Sequence, residues 1–243
     1  MTLIFGHRGA AGTYPENTMP SFYAAERLGA QGIELDVQMT KDGVVVVIHD
    51  ETVDRTTNGK GLVSEYTYEE LTKLNASYTF QKKTGFCSIP SLAEVLNWIQ
   101  TNKLLLNIEL KNNKVAYRGL EEEVITLVRK YELEKRVILS SFNHYSMKKC
   151  HGVAPDIETA LLYREGPRSP WFYAKKMGAS AVHPNYKYIS TTLIERTLAH
   201  DIAVRPYTVN NEQKMREFME LNISGIITDY PEVAAQVQNE FKK

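Results

Sequence analysis

Short apolar runs recur along the chain, with stretches of helical periodicity between them. The runs over 3–6, 32–37, 104–110, 136–141, 157–163, 179–183, 202–207 and 225–228 mostly lack strict alternation, the pattern of strands buried on both faces. Helical spacing marks 17–28, which carries Met19, Phe22, Tyr23 and Leu28, then 91–99, 119–131, 143–150, 191–200, 211–221 and 231–241. The second of these opens with Ser91 and Glu94, the two ends of a capping box, ahead of Val95, Leu96 and Ile99. Strand–helix alternation implies right-handed crossovers and a parallel sheet. Eight such strands predict closure into a TIM (β/α)8 barrel, with a doubly wound α/β sheet as the alternative.

Two features interrupt this pattern. Over 38–50, Asp42-Gly43 falls between β-prone runs and predicts a hairpin. With those two as the turn residues, Lys41 pairs with Val44 and Asp36 falls opposite His49. The second feature is 51–90, rich in Thr, Tyr, Lys and Gly and too long for an ordinary strand-to-helix connection. It reads as a small inserted cap over one end of the barrel, after the second strand region. The 243 residues otherwise suit a single barrel domain over 1–243, near the roughly 250 typical of the fold.

Composition narrows the partners. The chain is 43% hydrophobic and 24% charged, ordinary for a soluble globular protein. Lys plus Arg (29) balances Asp plus Glu (29), which argues against nucleic-acid binding and against attachment to an anionic membrane by charge. Apolar stretches are too short for stable membrane insertion, and the start at Met1 runs directly into functional-looking sequence, leaving no room for a signal peptide. Cys87 and Cys150 form neither a metal-type pair nor a disulfide framework, so a cytoplasmic protein with reduced thiols is expected. Oligomeric state does not follow from the sequence.

Barrel enzymes carry their working residues at the C-terminal ends of strands. Here those positions hold His7-Arg8-Gly9, Glu34-Leu35-Asp36, His49-Asp50 and Glu109-Leu110-Lys111. Residues two apart on a strand share a face, so Glu34 and Asp36 point together, as do Glu109 and Lys111. Three inward carboxylates repel one another, and a hard divalent cation, Mg2+ or Ca2+, resolves the repulsion. The lack of Cys or a close His pair disfavours structural zinc. Arg8 and Lys111 can grip a phosphate. His7 and His49 form a candidate acid–base pair, one taking a proton from the nucleophile and one giving a proton to the leaving alkoxide. Taken singly, a His-Arg after a strand is more often structural, and a Glu-x-Asp pair is often a solvated face. Their conjunction at strand ends carries the reading.

These residues resemble the N-terminal signature of glycerophosphodiester phosphodiesterases: His7-Arg8-Gly9 with Pro15-Glu16-Asn17-Thr18, Glu34-Leu35-Asp36-Val37, Thr40-Lys41-Asp42-Gly43 and His49-Asp50. The likeness continues through Asp54-Arg55-Thr56-Thr57-Asn58-Gly59, Gly61, Ile89-Pro90-Ser91-Leu92, Asn107-Ile108-Glu109-Leu110-Lys111 and Ser140-Ser141-Phe142. It ends with Pro206-Tyr207-Thr208-Val209-Asn210 and Gly225-Ile226-Ile227-Thr228-Asp229-Tyr230-Pro231, and so covers essentially the whole chain. The resemblance implies one divalent cation held by Glu34, Asp36 and Glu109, with His7 and His49 as general base and acid and Arg8 and Lys111 on the phosphate. It implies hydrolysis of a small glycerophosphodiester to glycerol 3-phosphate and an alcohol, with attack either by a substrate hydroxyl or by water. Many relatives carry Trp where this chain has Tyr207, so packing of the glycerol or headgroup is expected to differ. Phe142 and His183 also fall at strand ends, with pocket-lining and packing as equal readings.

Three other functions compete. A lysophospholipase D-type enzyme would use the same site with an apolar channel, for which the Tyr and Phe residues of 66–86 are candidates. A non-catalytic phosphate-ligand binding protein would usually have lost a histidine or a carboxylate, and every expected polar residue is present. An unrelated Mg2+ barrel enzyme of the enolase type leaves the two-histidine arrangement unexplained.

Overall fold

The computed structural model describes residues 1–77 and 79–241. Among the described residues nine strands form one sheet: β1 (Leu3–His7), β2 (Gly32–Met39), β3 (Val45–Val47), β4 (Leu105–Leu110), β5 (Val137–Ser141), β6 (Glu158–Tyr163), β7 (Ala181–Pro184), β8 (Ala203–Val204) and β9 (Gly225–Thr228). Their order is β8-β7-β6-β5-β4-β2-β1-β9, with β3 paired to β2 off this path. All pairs on the path are parallel, and only β2–β3 is antiparallel.

The open ends meet through the residues just past β8. Ile227 N donates to Pro206 O (3.0 Å) and Val209 N donates to Ile227 O (2.8 Å), which joins 206–209 to β9 and nearly closes the eight-stranded barrel. The expected seventh strand over 202–207 is shorter as a regular element because Pro206 brings no N–H to the ladder.

Successive strand residues face opposite ways, and the two faces bury against different partners. Phe5, Ile138, Ala160, Ala181 and Ile227 fill the barrel interior. Ile4, Ile33, Leu35, Ile108 and Leu139 face outward, in one cluster with Phe22, Leu96 and Val124 of the surrounding helices. Truncating one of these, such as Leu96→Ala, is expected to cost about 2–5 kcal/mol. The helix Leu92–Ile99 begins as its sequence requires, with Ser91 and Glu94 closing a reciprocal capping box.

Two local features depart from the expectations. The hairpin register is one residue off: Val37 pairs with Val47 and Met39 with Val45, and Ile48 N donates to Asp36 O (3.0 Å). Asp36 therefore opposes Ile48 rather than His49. The turn spans three residues, Lys41-Asp42-Gly43, between the bonded pair Thr40 and Val44, with Gly43 at φ 83. That is the three-residue form with glycine in the left-handed position. The helix Pro170–Met177 was not anticipated, although Pro170 at its first turn and Gly178 at its end (φ 76) are ordinary start and stop signals.

The 51–90 stretch has structure of its own: a Thr52↔Leu62 bridge, the 3-10 turn Val63–Glu65 and the short helices Tyr68–Thr72 and Gln81–Thr84. Val53, Val63, Leu71, Ala76 and Ile89 pack with Val46 and Ile48, which sit in and beside β3. The hairpin thus seats the stretch. Tyr78 lies outside the described residues.

Candidate active site at the barrel rim

The site is assembled from the ends of adjacent strands. The register pairs His7 with Glu34, and Asp36 with Glu109. Glu34, Asp36 and Glu109 are buried, and each offers a carboxylate oxygen such that all lie within 4.8 Å of one another.

The turn after β1 aims the first two residues. Arg8 takes a left-handed backbone (φ 51), a conformation costing about 1–3 kcal/mol unless its surroundings enforce it. Four hydrogen bonds do so: Arg8 N donates to Glu34 Oε2 (3.0 Å), Gly9 N to Gly6 O (3.1 Å), and Asn17 N and Ser21 Oγ to Arg8 O (both 3.0 Å). Gly9 follows at φ 87, where an added Cβ would lie 2.4 Å from Ser21 Oγ, so only glycine fits. The Arg8 side chain then sits with Nε 3.2 Å from Asp36 Oδ2, while Nη1 donates to Glu16 Oε1 (2.8 Å).

Each histidine is held at Nδ1 by a carboxylate. His7 Nδ1 lies 2.6 Å from Asp229 Oδ1, and His49 Nδ1 lies 2.6 Å from Asp50 Oδ1. Gln38 supports the second pair from β2, its Nε2 donating to His49 O (3.1 Å) while Tyr117 Oη donates to Gln38 Oε1 (2.6 Å). Lys111 joins the two halves of the site: Nζ is 2.7 Å from Glu109 Oε1, 3.7 Å from Asp36 Oδ1 and 3.2 Å from His49 Nε2. A carboxylate only accepts and an ammonium only donates. His49 between Asp50 and Lys111 is therefore the neutral tautomer with its proton on Nδ1 and its lone pair on Nε2. Burial, together with the Arg8 and Lys111 charges, holds the His49 pKa below its ordinary value, against the opposing pull of Asp36 and Asp50.

The carboxylates do not share one electrostatic fate. Burial and the charges of Asp36 and Glu109 push Glu34 well up. Burial and Asp36 push Glu109 up to about 7, with Lys111 pulling the other way. Burial would also raise Asp36, but Arg8 and Lys111 outweigh it and leave it well below the usual carboxylate range. Three clustered carboxylates that cannot all ionise comfortably are a donor set in want of a cation. Asp36 Oδ1, buried without a hydrogen-bond partner, points the same way. Oxygen-only donors suit Mg2+ or Ca2+.

Phe142 and Tyr207 stand at the mouth, edge to face at 6.0 Å between ring centres. Lys111 Nζ lies 6.0 Å from the Phe142 ring. A small cavity (20 Å3) beneath is lined by His7, Glu34, Asn107, Glu109, Leu162, Tyr207 and Ile227. All nine candidate residues thus lie at one rim. His183 does not join them: it is buried in the barrel, with Nε2 3.5 Å from Arg205 Nη1. Of the other aromatic candidates, Tyr66 and Tyr68 pack on the cluster of the inserted stretch, Phe86 is exposed, and Phe80 lines a separate cavity with Glu16 and Arg55. Asp50, Asp229, Asn17 and Glu16 also belong to the site; the sequence shows them within its motifs but assigns them no role. Asp229 follows β9 directly, so the strand-end rule that found the others would have found it.

Residues 7–233 match the model of the Glycerophosphoryl diester phosphodiesterase family. The chain is 45% identical over 245 residues to the glycerophosphodiester phosphodiesterase of Bacillus altitudinis, covering 100% of both chains. It is 46% identical over 231 residues to that of Caldanaerobacter subterraneus subsp. tengcongensis, covering 95% of each. Among solved structures, an Oleispira antarctica phosphodiesterase in complex with its product sn-glycerol-3-phosphate aligns with a TM-score of 0.86 at 26% identity, over 100% of this chain and 98% of that one. The glycerophosphodiester phosphodiesterase of Agrobacterium tumefaciens aligns with a TM-score of 0.86 at 29% identity, over 97% and 100%.

Proposed function

The chain belongs to the glycerophosphoryl diester phosphodiesterase family and is a glycerophosphodiester phosphodiesterase, and from this premise we propose how it works: it cleaves a small glycerophosphodiester to glycerol 3-phosphate and an alcohol with one divalent cation and two histidines. The observation that carries this reading is the position of Lys111, which touches Glu109 and His49 and lies 3.7 Å from Asp36. It ties the carboxylate cluster and the proton-transfer group to one point, where a phosphate would sit.

Glu34, Asp36 and Glu109 would hold the cation, Mg2+ or Ca2+. When bound, it supplies charge that draws the phosphoryl oxygens in and neutralises them as negative charge builds. Arg8 and Lys111 orient the remaining phosphate oxygens. His49 Nε2, carrying a lone pair, takes the proton of the attacking hydroxyl, whether from water or from the substrate's glycerol. A new P–O bond forms and the bond to the departing alcohol breaks. His7, braced at Nδ1 by Asp229, gives that alkoxide its proton. Where glycerol attacks first, the same pair opens the resulting cyclic phosphate with water, so one water is consumed overall. Phe142 and Tyr207 pack against the glycerol or headgroup.

We take residues 1–243 as one catalytic domain carrying the insertion at 51–90. Among the described residues no helix is long and apolar enough to cross a membrane, and Cys87 and Cys150 are buried free thiols. The buried free thiols fit work on a small solute in a reducing, cytoplasmic setting.

The test is glycerol 3-phosphate release from glycerophosphoethanolamine and glycerophosphocholine, after chelation and then with Mg2+ or Ca2+ restored. Release that requires a cation supports the reading. Equal release in chelator would remove the cation, and no release under any condition would remove the substrate class.

A further inference from the structure

Arg55, in the inserted stretch, is where two separate arms of the site meet. Its Nη1 donates to Glu16 Oε2 and its Nη2 to Glu16 Oε1, both at 2.7 Å. Its Nε donates to Asp50 Oδ2 (2.6 Å) and Nη2 also reaches Asp50 Oδ1 (3.2 Å). Each carboxylate has a second duty. Glu16 accepts from Arg8 Nη1 (2.8 Å), and Asp50 holds His49 Nδ1 (2.6 Å). One guanidinium therefore links the arginine beside the carboxylate cluster to the histidine beside Lys111.

Stability does not explain so complete a set of bonds. The Arg55 side chain is 49% exposed, and exposed ion pairs contribute little to folding. What a rigid guanidinium fork contributes is direction, since it fixes the planes of both carboxylates at once. Hydrogen bonds from Arg55 and His49 outweigh the burial of Asp50 and hold its pKa at about 2, so it remains an acceptor over the working pH range.

We propose that Arg55 is a positioning residue of the reaction: by bracing Glu16 and Asp50 together it fixes the separation and orientation of Arg8 and His49. This rests on the phosphodiesterase reading of the same site. It gives the inserted stretch a task in the reaction, because the stretch, seated on the hairpin, must fold in place for the phosphate-gripping and proton-transfer arms to face one substrate.

The experiment compares wild type with Arg55→Gln, Arg55→Lys, Asp50→Asn and the Arg55→Gln/Asp50→Asn double variant, with cation present. Arg55→Gln is expected to lower kcat by about 10- to 100-fold, the scale of supporting residues that orient working groups. Arg55→Lys should recover only part of this, because an ammonium cannot fork onto two carboxylates. The double variant should lose less than the product of the two singles, since they share the route through Asp50 and His49 while Arg55→Gln also loosens Glu16 and Arg8. A second readout does not depend on turnover. In protein labelled with 15N-histidine, Arg55→Gln should shift the imidazole resonances of His49 and leave those of His200, which is bonded to Arg196 O, in place. General unfolding would move every histidine. Wild-type kcat in Arg55→Gln, losses that multiply in the double variant, or an unmoved His49 spectrum would each overturn the proposal. If wild type itself released no glycerol 3-phosphate, the functional reading would fall, while the His49 spectrum would still decide whether Arg55 positions it.

Discussion

His7 and Asp229 stand 222 residues apart in sequence and 2.6 Å apart in space, joining the end of the first strand to the residue after the last. The contact lies where β1 pairs with β9, so the pairing of the first strand with the last delivers the carboxylate to the imidazole. Asn210 holds the other oxygen of Asp229, with Nδ2 2.5 Å from Oδ2. Asp229→Asn keeps the shape and removes the carboxylate that holds His7 Nδ1. We expect kcat to fall about 10-fold or more with KM little changed, as for loss of a partner that orients a working group. Unchanged kcat would show that His7 needs no carboxylate.

His49→Ala and His7→Ala should each lower turnover by about 100-fold or more, the scale of lost proton transfer. The two differ in pH dependence. His49 is held below its ordinary pKa of 6.5, so at saturating cation the loss of wild-type activity on acidification should run through a midpoint below 6.5 and disappear in His49→Ala. Near-wild-type turnover in both variants would remove the pair, and an acidic limb that persists in His49→Ala would move the proton-accepting role elsewhere.

The barrel was legible because its signals are local and repeated: buried apolar runs, a capping box at Ser91 and Glu94, and polar residues at strand ends. The gathering of the candidate residues at one rim was legible for the same reason, since a strand end fixes where a side chain points. What depended on tertiary partners was less visible. The hairpin slipped by one residue because Gly43 at φ 83 takes the third turn position, and Asp42-Gly43 alone does not tell a two-residue loop from a three-residue one. The Arg55–Glu16 pair spans 39 positions between two irregular segments, and no periodicity marks such a contact. His183 sits near a strand end as His7 and His49 do, yet it turns inward to Arg205, a choice set by neighbours across the barrel.

Phe142 and Tyr207 meet edge to face at the mouth, and Tyr207 Oη donates to Tyr163 O (3.1 Å). A ring that packs on substrate without touching the reacting atoms binds ground and transition states alike. Phe142→Ala should therefore raise KM by about 2- to 10-fold with kcat unchanged, matching the 0.5–1.5 kcal/mol scale of aromatic contacts. A fall in kcat at constant KM would instead place Phe142 in setting the Lys111 ammonium near it.

Glu109 links cation binding to pH. Its pKa rises from 4.5 to about 7 on folding, chiefly through burial and then through Asp36. A carboxyl with a raised folded pKa contributes stability that is complete below the unfolded value and lost as pH climbs through the folded one. In chelator, wild type should therefore lose stability between about pH 4.5 and 7 relative to Glu109→Gln, which cannot ionise there. Cation binding needs the ionised carboxylate, so affinity should rise over the same interval. Melting curves of both proteins at several pH values, in chelator and with Mg2+ or Ca2+, separate the two effects. The expected pattern is a variant that melts higher than wild type near neutral pH without cation and responds little when it is added. A variant that still gains as much from the cation as wild type would take Glu109 out of the ligand set, and parallel pH curves in chelator would mean its carboxyl is not held protonated by the barrel.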